Sequence, residues 1–328
     1  MCVLFKLALS VLALCLLFSN VTAHMDLSPG ELVEYHQSLK RDGEALARCL
    51  QSPDMREHHA RMLVHRDQTL RHVRQLRGIN KRDAPAMTKW AALNHEQKLG
   101  HSRDPQDIFN FRWSDNPNDN ASGCALTPTS IYGPYWREGQ LERQDIRDGQ
   151  DGIYLRLAMQ VIDTGTCKPL HGAQVDVWEA NAVGAYSGVK TGYLRGWQPT
   201  SPHGTVDFDS IFPGHYLGRA SHIHVAVRAV KEKRVAHIGQ IYFDQWLRNA
   251  IEASSYKNNS YELVDNHKDA FIPYDASDMH DPFVRWSKVS NNPHDGVLAW
   301  ITLGVNTTNY GVEQPPNMKR SLVDWHLG

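Results

Sequence analysis

Beyond its first two dozen residues the 328-residue sequence has no apolar run approaching the roughly 20 residues needed to cross a bilayer. No membrane span is expected of it. It has no surplus of either charge, with 35 Lys and Arg against 36 Asp and Glu. Nucleic acid and anionic membrane surfaces call for a basic excess, so neither is an expected partner and a small molecule fits better. Internal repeats and low-complexity tracts are missing as well, and Lys319-Arg320-Ser321-Leu322-Val323-Asp324 is too polar for a lipid-anchor signal.

What is present is a chain with 41% hydrophobic residues, enough to bury one substantial core. Residues 1–23 read as a secretory signal: Lys6 supplies the positive start, Leu7 to Phe18 the apolar stretch, and Val21-Thr22-Ala23 the cleavage site. A secreted, extracellular product is therefore expected. Of five cysteines, Cys2 and Cys15 lie within that signal, leaving Cys49, Cys124 and Cys167 for one disulfide and one odd thiol. Sequons at Asn120, Asn258 and Asn306 agree with a secreted glycoprotein. The 18 histidines are many, but tracts such as His58-His59 lie in a very polar stretch and are read as surface.

From Ser28 to about Gly78 the apolar residues Leu63, Leu70 and Val73 recur at helical spacing, which predicts one or two amphipathic helices. Ser28-Pro29-Gly30-Glu31 offers a capping box. Lys81-Arg82 is a dibasic pair in a polar connector, read first as linker and second as a processing site. After Asp115 the chain turns to short apolar segments punctuated by Gly, Pro, Asn and Asp. Ile153 to Ile162 alternates, and Ala173 to Trp178, His222 to Val227 and Val297 to Val305 are strand-like. Turn signals stand at Asp163-Thr164-Gly165, Pro213-Gly214 and Asn292-Pro293. The expected fold is mainly β: an antiparallel β-sandwich catalytic core over 113–328, its strands not separated by helices, with a helical extension over 24–112.

The densest chemistry lies in Pro213-Gly214-His215-Tyr216-Leu217-Gly218-Arg219-Ala220-Ser221-His222-Ile223-His224. Side chains alternate along a strand, so His222 and His224 share a face while Ile223 points away. Two imidazoles so placed can grip a metal, and further ligands must come from elsewhere. His215 is read as solvent-facing and Trp178 as core.

This segment resembles the iron-binding signature of the intradiol ring-cleavage dioxygenases. Three other segments, in family order along the chain, resemble further stretches of that family: Gly133-Pro134-Tyr135-Trp136 its Gly-Pro-aromatic entry to the substrate pocket, Val175-Asp176-Val177-Trp178-Glu179-Ala180-Asn181 with Gly184-Ala185-Tyr186-Ser187 the stretch with its first tyrosine ligand, and Gly239-Gln240-Ile241-Tyr242-Phe243 the strand with its glutamine. The matches span about residues 120–305 and leave 24–112 outside. Gly204-Thr205-Val206 departs from the family, which often has an aromatic shortly after that glycine. The resemblance implies non-haem Fe(III) held by Tyr186, Tyr216, His222 and His224. It implies Arg219 beside the reacting ring and Gln240 as a hydrogen-bonding partner just outside the ligands, while Ile131, Tyr132, Tyr135 and Trp136 are candidate pocket walls, Tyr135 foremost. It implies a catechol-type substrate and O2, with Tyr216 leaving the metal as the base, Tyr186 staying, and Arg219 stabilising negative charge on the ring. Two phenolates and two neutral imidazoles suit the ferric state.

Singly, each of these residues also has an ordinary role, as a packed aromatic or an ion-pair partner. Cupins also place His-x-His on a strand, but Val225-Ala226-Val227-Arg228 follows here in place of their glutamate. A zinc enzyme could use the same histidine pair, and a metal-free secreted binding module could keep it as scaffold. Cys124 precedes the Gly133-Pro134 segment and Cys167 ends a strand and turn, so a Cys124–Cys167 disulfide is expected to tie the mouth of the pocket to the sandwich. The diol and the oligomeric state are not legible.

Overall fold

In the computed structural model the described residues are chiefly 52–78, 135–188, 192–228, 235–275 and 282–307, with Gly133 and scattered helical positions between 30 and 49. The proposed signal, Ser28, Lys81-Arg82, Ile131, Tyr132, Cys124 and Asn120 fall outside them. Ser38–Gly311 form one compact unit; Met1–Gln37 with Val312–Gly328 form a second, in which Gly30, Val33, Glu34 and Gln37 are described and helical.

Helix α1 (Pro53–Leu76) begins where the Ser52 hydroxyl accepts from the Met55 N–H at 3.3 Å, with proline at its first position. Among the described residues nine strands follow: β1 (Tyr154–Asp163), β2 (Lys168–Pro169), β3 (Gln174–Glu179), β4 (Arg195–Pro199), β5 (Thr205–Ile211), β6 (His222–Arg228), β7 (Val235–Tyr242), β8 (Arg285–Lys288) and β9 (Val297–Val305). Between β7 and β8 come helices α2 (Gln245–Ser255) and α3 (Ile272–Asp275). Helices thus interrupt the strand series, against the sequence expectation. Asp244 starts α2 by accepting from the Leu247 N–H at 2.8 Å.

The strands form a sandwich. A four-stranded sheet runs β4-β3-β6-β7, and a five-stranded sheet runs β2-β1-β9-β8 with β5 also on β1. All pairs are antiparallel except β1 with β9, which is parallel. Alternate residues fill the core between the sheets: Leu155, Leu157, Met159 and Val161 from one, Val175, Val177, Ile223, Val225 and Ile241 from the other.

The alternation in β1 predicts a half-exposed strand, yet all ten of its residues are buried. The outward Tyr154 and Ala158 pack with Leu70 and Val73 of α1, and Arg74 donates to the Val289 carbonyl at 2.7 Å. A helix from the extension therefore roofs the five-stranded sheet. His58 on that helix is 3% exposed, not a surface residue.

The disulfide also departs from expectation: Cys49 pairs with Cys167, with Cα atoms 4.9 Å apart. Leu46 and Met55 dock on Ile162 near the end of β1, which carries Cys49 to the β1–β2 turn and gives Cys167 a partner other than Cys124.

Candidate active site

Strand alternation sends Ile223 into the core and His222 and His224 to the outer face of the four-stranded sheet. Cross-strand register places Trp178 and Gln240 on either side of His224, and Tyr242 beside His222. The Trp178 indole stacks on the His224 ring at 4.9 Å and 5°. Trp178 is core, as expected, and it also fixes the plane of a site imidazole.

Two loops bring the tyrosines over this face. One follows β3 and carries Tyr186; the other precedes β6 and carries Tyr216. They touch through Gly184, where a Cβ would sit 2.3 Å from the His215 carbonyl oxygen and the backbone has φ +80°. The four expected ligands then close a ring of neighbours: Tyr186 to Tyr216 at 5.5 Å between centroids, Tyr216 to His222 at 5.3 Å, His222 to His224 at 4.9 Å, and His224 to Tyr186 at 6.2 Å. Residues from two loops and a strand are gathered on one spot.

The electrostatics fit a cation in their midst. The Tyr186 hydroxyl is buried and makes no hydrogen bond of ordinary geometry. Burial, then the neighbouring Tyr216 phenol, push its pKa well up, and the Arg219 charge only partly opposes them. Burial raises Tyr216 too, again against Arg219. Burial therefore favours the neutral phenols, and a bound cation would oppose it. His222 is pushed the other way, by burial first and Arg219 second, which leaves the neutral imidazole that metals bind. Its Nδ1 lies 2.6 Å from the Ala220 carbonyl oxygen, which assigns the proton to Nδ1 and leaves Nε2 to face the Tyr216 hydroxyl at 3.2 Å. Among the described residues no three His, Cys, Asp or Glu side chains gather as a metal group. The two phenols beside the two imidazoles would form a hard donor set suited to a ferric ion.

Arg219 is buried beside the ring. Its Nη1 donates to the Tyr216 hydroxyl at 3.3 Å, its Nη2 to Gln240 Oε1 at 2.6 Å and the Tyr242 hydroxyl at 3.4 Å, and its Nε to Asp269 Oδ2 at 3.0 Å. The guanidinium also lies 4.2 Å from the Phe271 ring centroid. Burial works against its charge, but Tyr216, Asp269 and Tyr242 outweigh it and hold the pKa above the ordinary value. Behind Tyr242 sits Asp275, accepting from its hydroxyl at 2.5 Å. Burial pushes the Asp275 carboxyl up to about 7, although the Tyr242 hydrogen bond and Arg219 oppose it.

Tyr135 closes the mouth. It stacks on Tyr186 at 4.1 Å and 7° and meets Tyr216 edge-on at 5.9 Å. Gly133 lets this segment lean on the site, since a Cβ there would lie 3.3 Å from His224 Cε1 and its φ is +71°. Arg195 pins both layers of the stack, donating to the Tyr135 carbonyl at 3.1 Å and to Ser187 Oγ at 2.6 Å.

Sequence reasoning thus named the residues that meet here: Tyr135, Tyr186, Tyr216, Arg219, His222, His224 and Gln240. It missed Asp269, Asp275 and Arg195, for which no local pattern gives a signal. It placed His215 in solvent, whereas His215 is 5% exposed, 3.4 Å from Glu252 of α2 and 3.1 Å from the Tyr261 carbonyl oxygen. That ring is a buried prop under the Tyr216 loop.

The Dioxygenase_C family, described as dioxygenase, matches residues 131–270. Among solved structures, an intradiol ring-cleavage dioxygenase from Tetranychus urticae is similar at 31% identity, over 58% of this chain and 98% of its own, with a TM-score of 0.51. A second crystallised dioxygenase is 30% identical over the same shares, with a TM-score of 0.52. No curated protein matches the chain.

Proposed function

The chain belongs to the intradiol ring-cleavage dioxygenases, and from that premise we propose that it is a secreted iron(III) enzyme opening catechol-type diols to cis,cis-muconic acid-type products. The observation that carries the metal assignment is the closed ring of Tyr186, Tyr216, His222 and His224, with the Tyr186 hydroxyl buried and lacking an ordinary partner. Iron(III) bound there would supply the positive charge that makes both phenols phenolates and readies the diol for O2. The carbon–carbon bond between the two hydroxyl carbons breaks, and each carbon gains one oxygen atom from O2.

The chain's own residues account for the rest. Tyr216, within hydrogen-bonding distance of Arg219 and His222, is the base that takes a proton from a diol hydroxyl. Arg219, fixed on three edges before substrate arrives, stabilises negative charge building on the ring. Gln240 holds Arg219, and Tyr135 is an aromatic wall against which a planar diol can lie. The signal-like residues 1–23 and the Cys49–Cys167 disulfide support an oxidising, extracellular setting.

Tyrosinate bound to ferric iron absorbs visible light, which zinc with its filled d shell does not do. Purified protein is therefore expected to be coloured, to change colour when catechol is added without oxygen, and to return to its first spectrum when oxygen enters. Oxygen uptake should equal diol consumed, and Tyr186→Phe should remove most of the resting colour. A colourless protein holding stoichiometric zinc, or no oxygen uptake across a panel of diols, would overturn the proposal.

A further inference from the structure

Asp269 lies at the end of the short 3-10 turn Asn266–Lys268, 2% exposed, and no sequence pattern singles it out. Its two carboxylate oxygens serve two different partners. Oδ1 accepts from the Phe271 and Ile272 N–H groups at 2.8 and 3.1 Å, anchoring the carboxylate to the start of α3. Oδ2 accepts from Arg219 Nε at 3.0 Å and from the Ala220 N–H at 2.6 Å. The far side of that same residue, the Ala220 carbonyl, is the acceptor that orients His222 through Nδ1. One carboxylate oxygen therefore holds the guanidinium and the stretch of main chain that sets an imidazole.

We infer that Asp269 is a positioning residue that fixes two parts of the site at once: the Arg219 guanidinium facing the substrate and, through Ala220, the ring of His222. This rests on the dioxygenase reading for its consequence, but the contacts stand apart from it. A carboxylate is required because all four groups meeting Asp269 are N–H donors. In Asp269→Asn one oxygen becomes an NH2 group that faces two donors, so either the anchor to α3 or the grip on Arg219 and Ala220 is lost. The charge that matches the buried arginine is lost as well.

The test is Asp269→Asn in the full chain, with kcat, KM and iron retention measured separately. Loss of an aligned charge contact to the transition state lowers kcat by about 10²-fold while KM changes far less. Loss of the support behind a ligating histidine weakens iron retention by about 10–100-fold in competition with a chelator. Repeated in an Arg219→Ala background, the substitution should add little further loss of kcat and still weaken iron. A folded Asp269→Asn protein with wild-type kcat and wild-type iron retention refutes the inference, as does a loss of thermal stability with both parameters unchanged.

If the variant does not fold, the wild-type protein decides. In the metal-free protein, NMR should find the Arg219 Nε–H and the His222 Nδ1–H protected from solvent exchange. Exchange of the Arg219 Nε–H at the rate of an exposed arginine overturns the inference. Should wild-type protein neither take up iron nor consume oxygen, the dioxygenase function falls, while these protected protons still report whether Asp269 holds its partners.

Discussion

The outer faces of the two sheets are covered by different elements, a helix over one and loops over the other. The five-stranded sheet is roofed by α1, whose Leu70 and Val73 meet Tyr154, Ala158, Leu298 and Trp300 in an apolar contact. The four-stranded sheet bears His222, His224, Gln240 and Tyr242 on the corresponding face, roofed by loops that bring Tyr135, Tyr186, Tyr216 and Asp269. Both faces are buried and both carry polar groups, since Arg156 pairs with Asp209 at 2.9 Å on the first, but the contact with α1 there centres on an apolar cluster, whereas the second face is lined by polar and aromatic side chains. The apolar cluster on the first face points to a contribution to stability and the proposed chemistry lies on the second, because buried polar groups must be satisfied one by one whereas apolar area needs only to be covered.

Three variants probe that division. Cys49→Ser removes the cross-link that ties the α1 side to the β1–β2 turn; closing a loop of 118 residues is worth about 5 kcal/mol in the chain-entropy model. Chemical denaturation should show a loss of that order, with kcat unchanged in the folded protein. Arg219→Ala, on the opposite face, should lower kcat by about 10²–10³ while iron is retained. Steady-state kinetics beside metal analysis would reveal it, and an unchanged kcat would remove Arg219 from the mechanism. Leu70→Ala leaves a cavity under the roof and should cost about 3 kcal/mol of stability without altering kcat or KM. If Leu70→Ala changed turnover instead, the two faces would not be independent, and stability could not be assigned to one and chemistry to the other.

What could be read from the sequence follows the same line. Period-2 alternation suffices to place His222 and His224 together and Ile223 in the core, because a strand carries its own geometry. The order of four short segments suffices to place Tyr186 and Tyr216 with them through the family resemblance. Beyond this, local pattern is silent. Asp269 and Arg195 act through loops that cross only in the folded chain. His215 sits in a Gly-His-Tyr turn that reads as exposed, and only the packing of α2 with Glu252 against it makes it interior. Tyr154 and Ala158 look like a solvent face until a helix from far upstream in the chain covers them. The disulfide is the clearest instance: three cysteines allow three pairings, and the docking of Leu46 and Met55 on Ile162 selects the one between Cys49 and Cys167.

That pairing changes what a cut in the chain would mean. Lys81-Arg82 lies between Cys49 and Cys167, so proteolysis at the dibasic pair would divide the polypeptide without separating its halves. The helical part would stay fastened to the sandwich as a second, covalently attached chain, visible as one species on a non-reducing gel and two after reduction. A protease acting there would convert a single-chain enzyme into a heterodimer of its own fragments, with the lid of the five-stranded sheet kept in place by a sulfur bond after the peptide connection is gone.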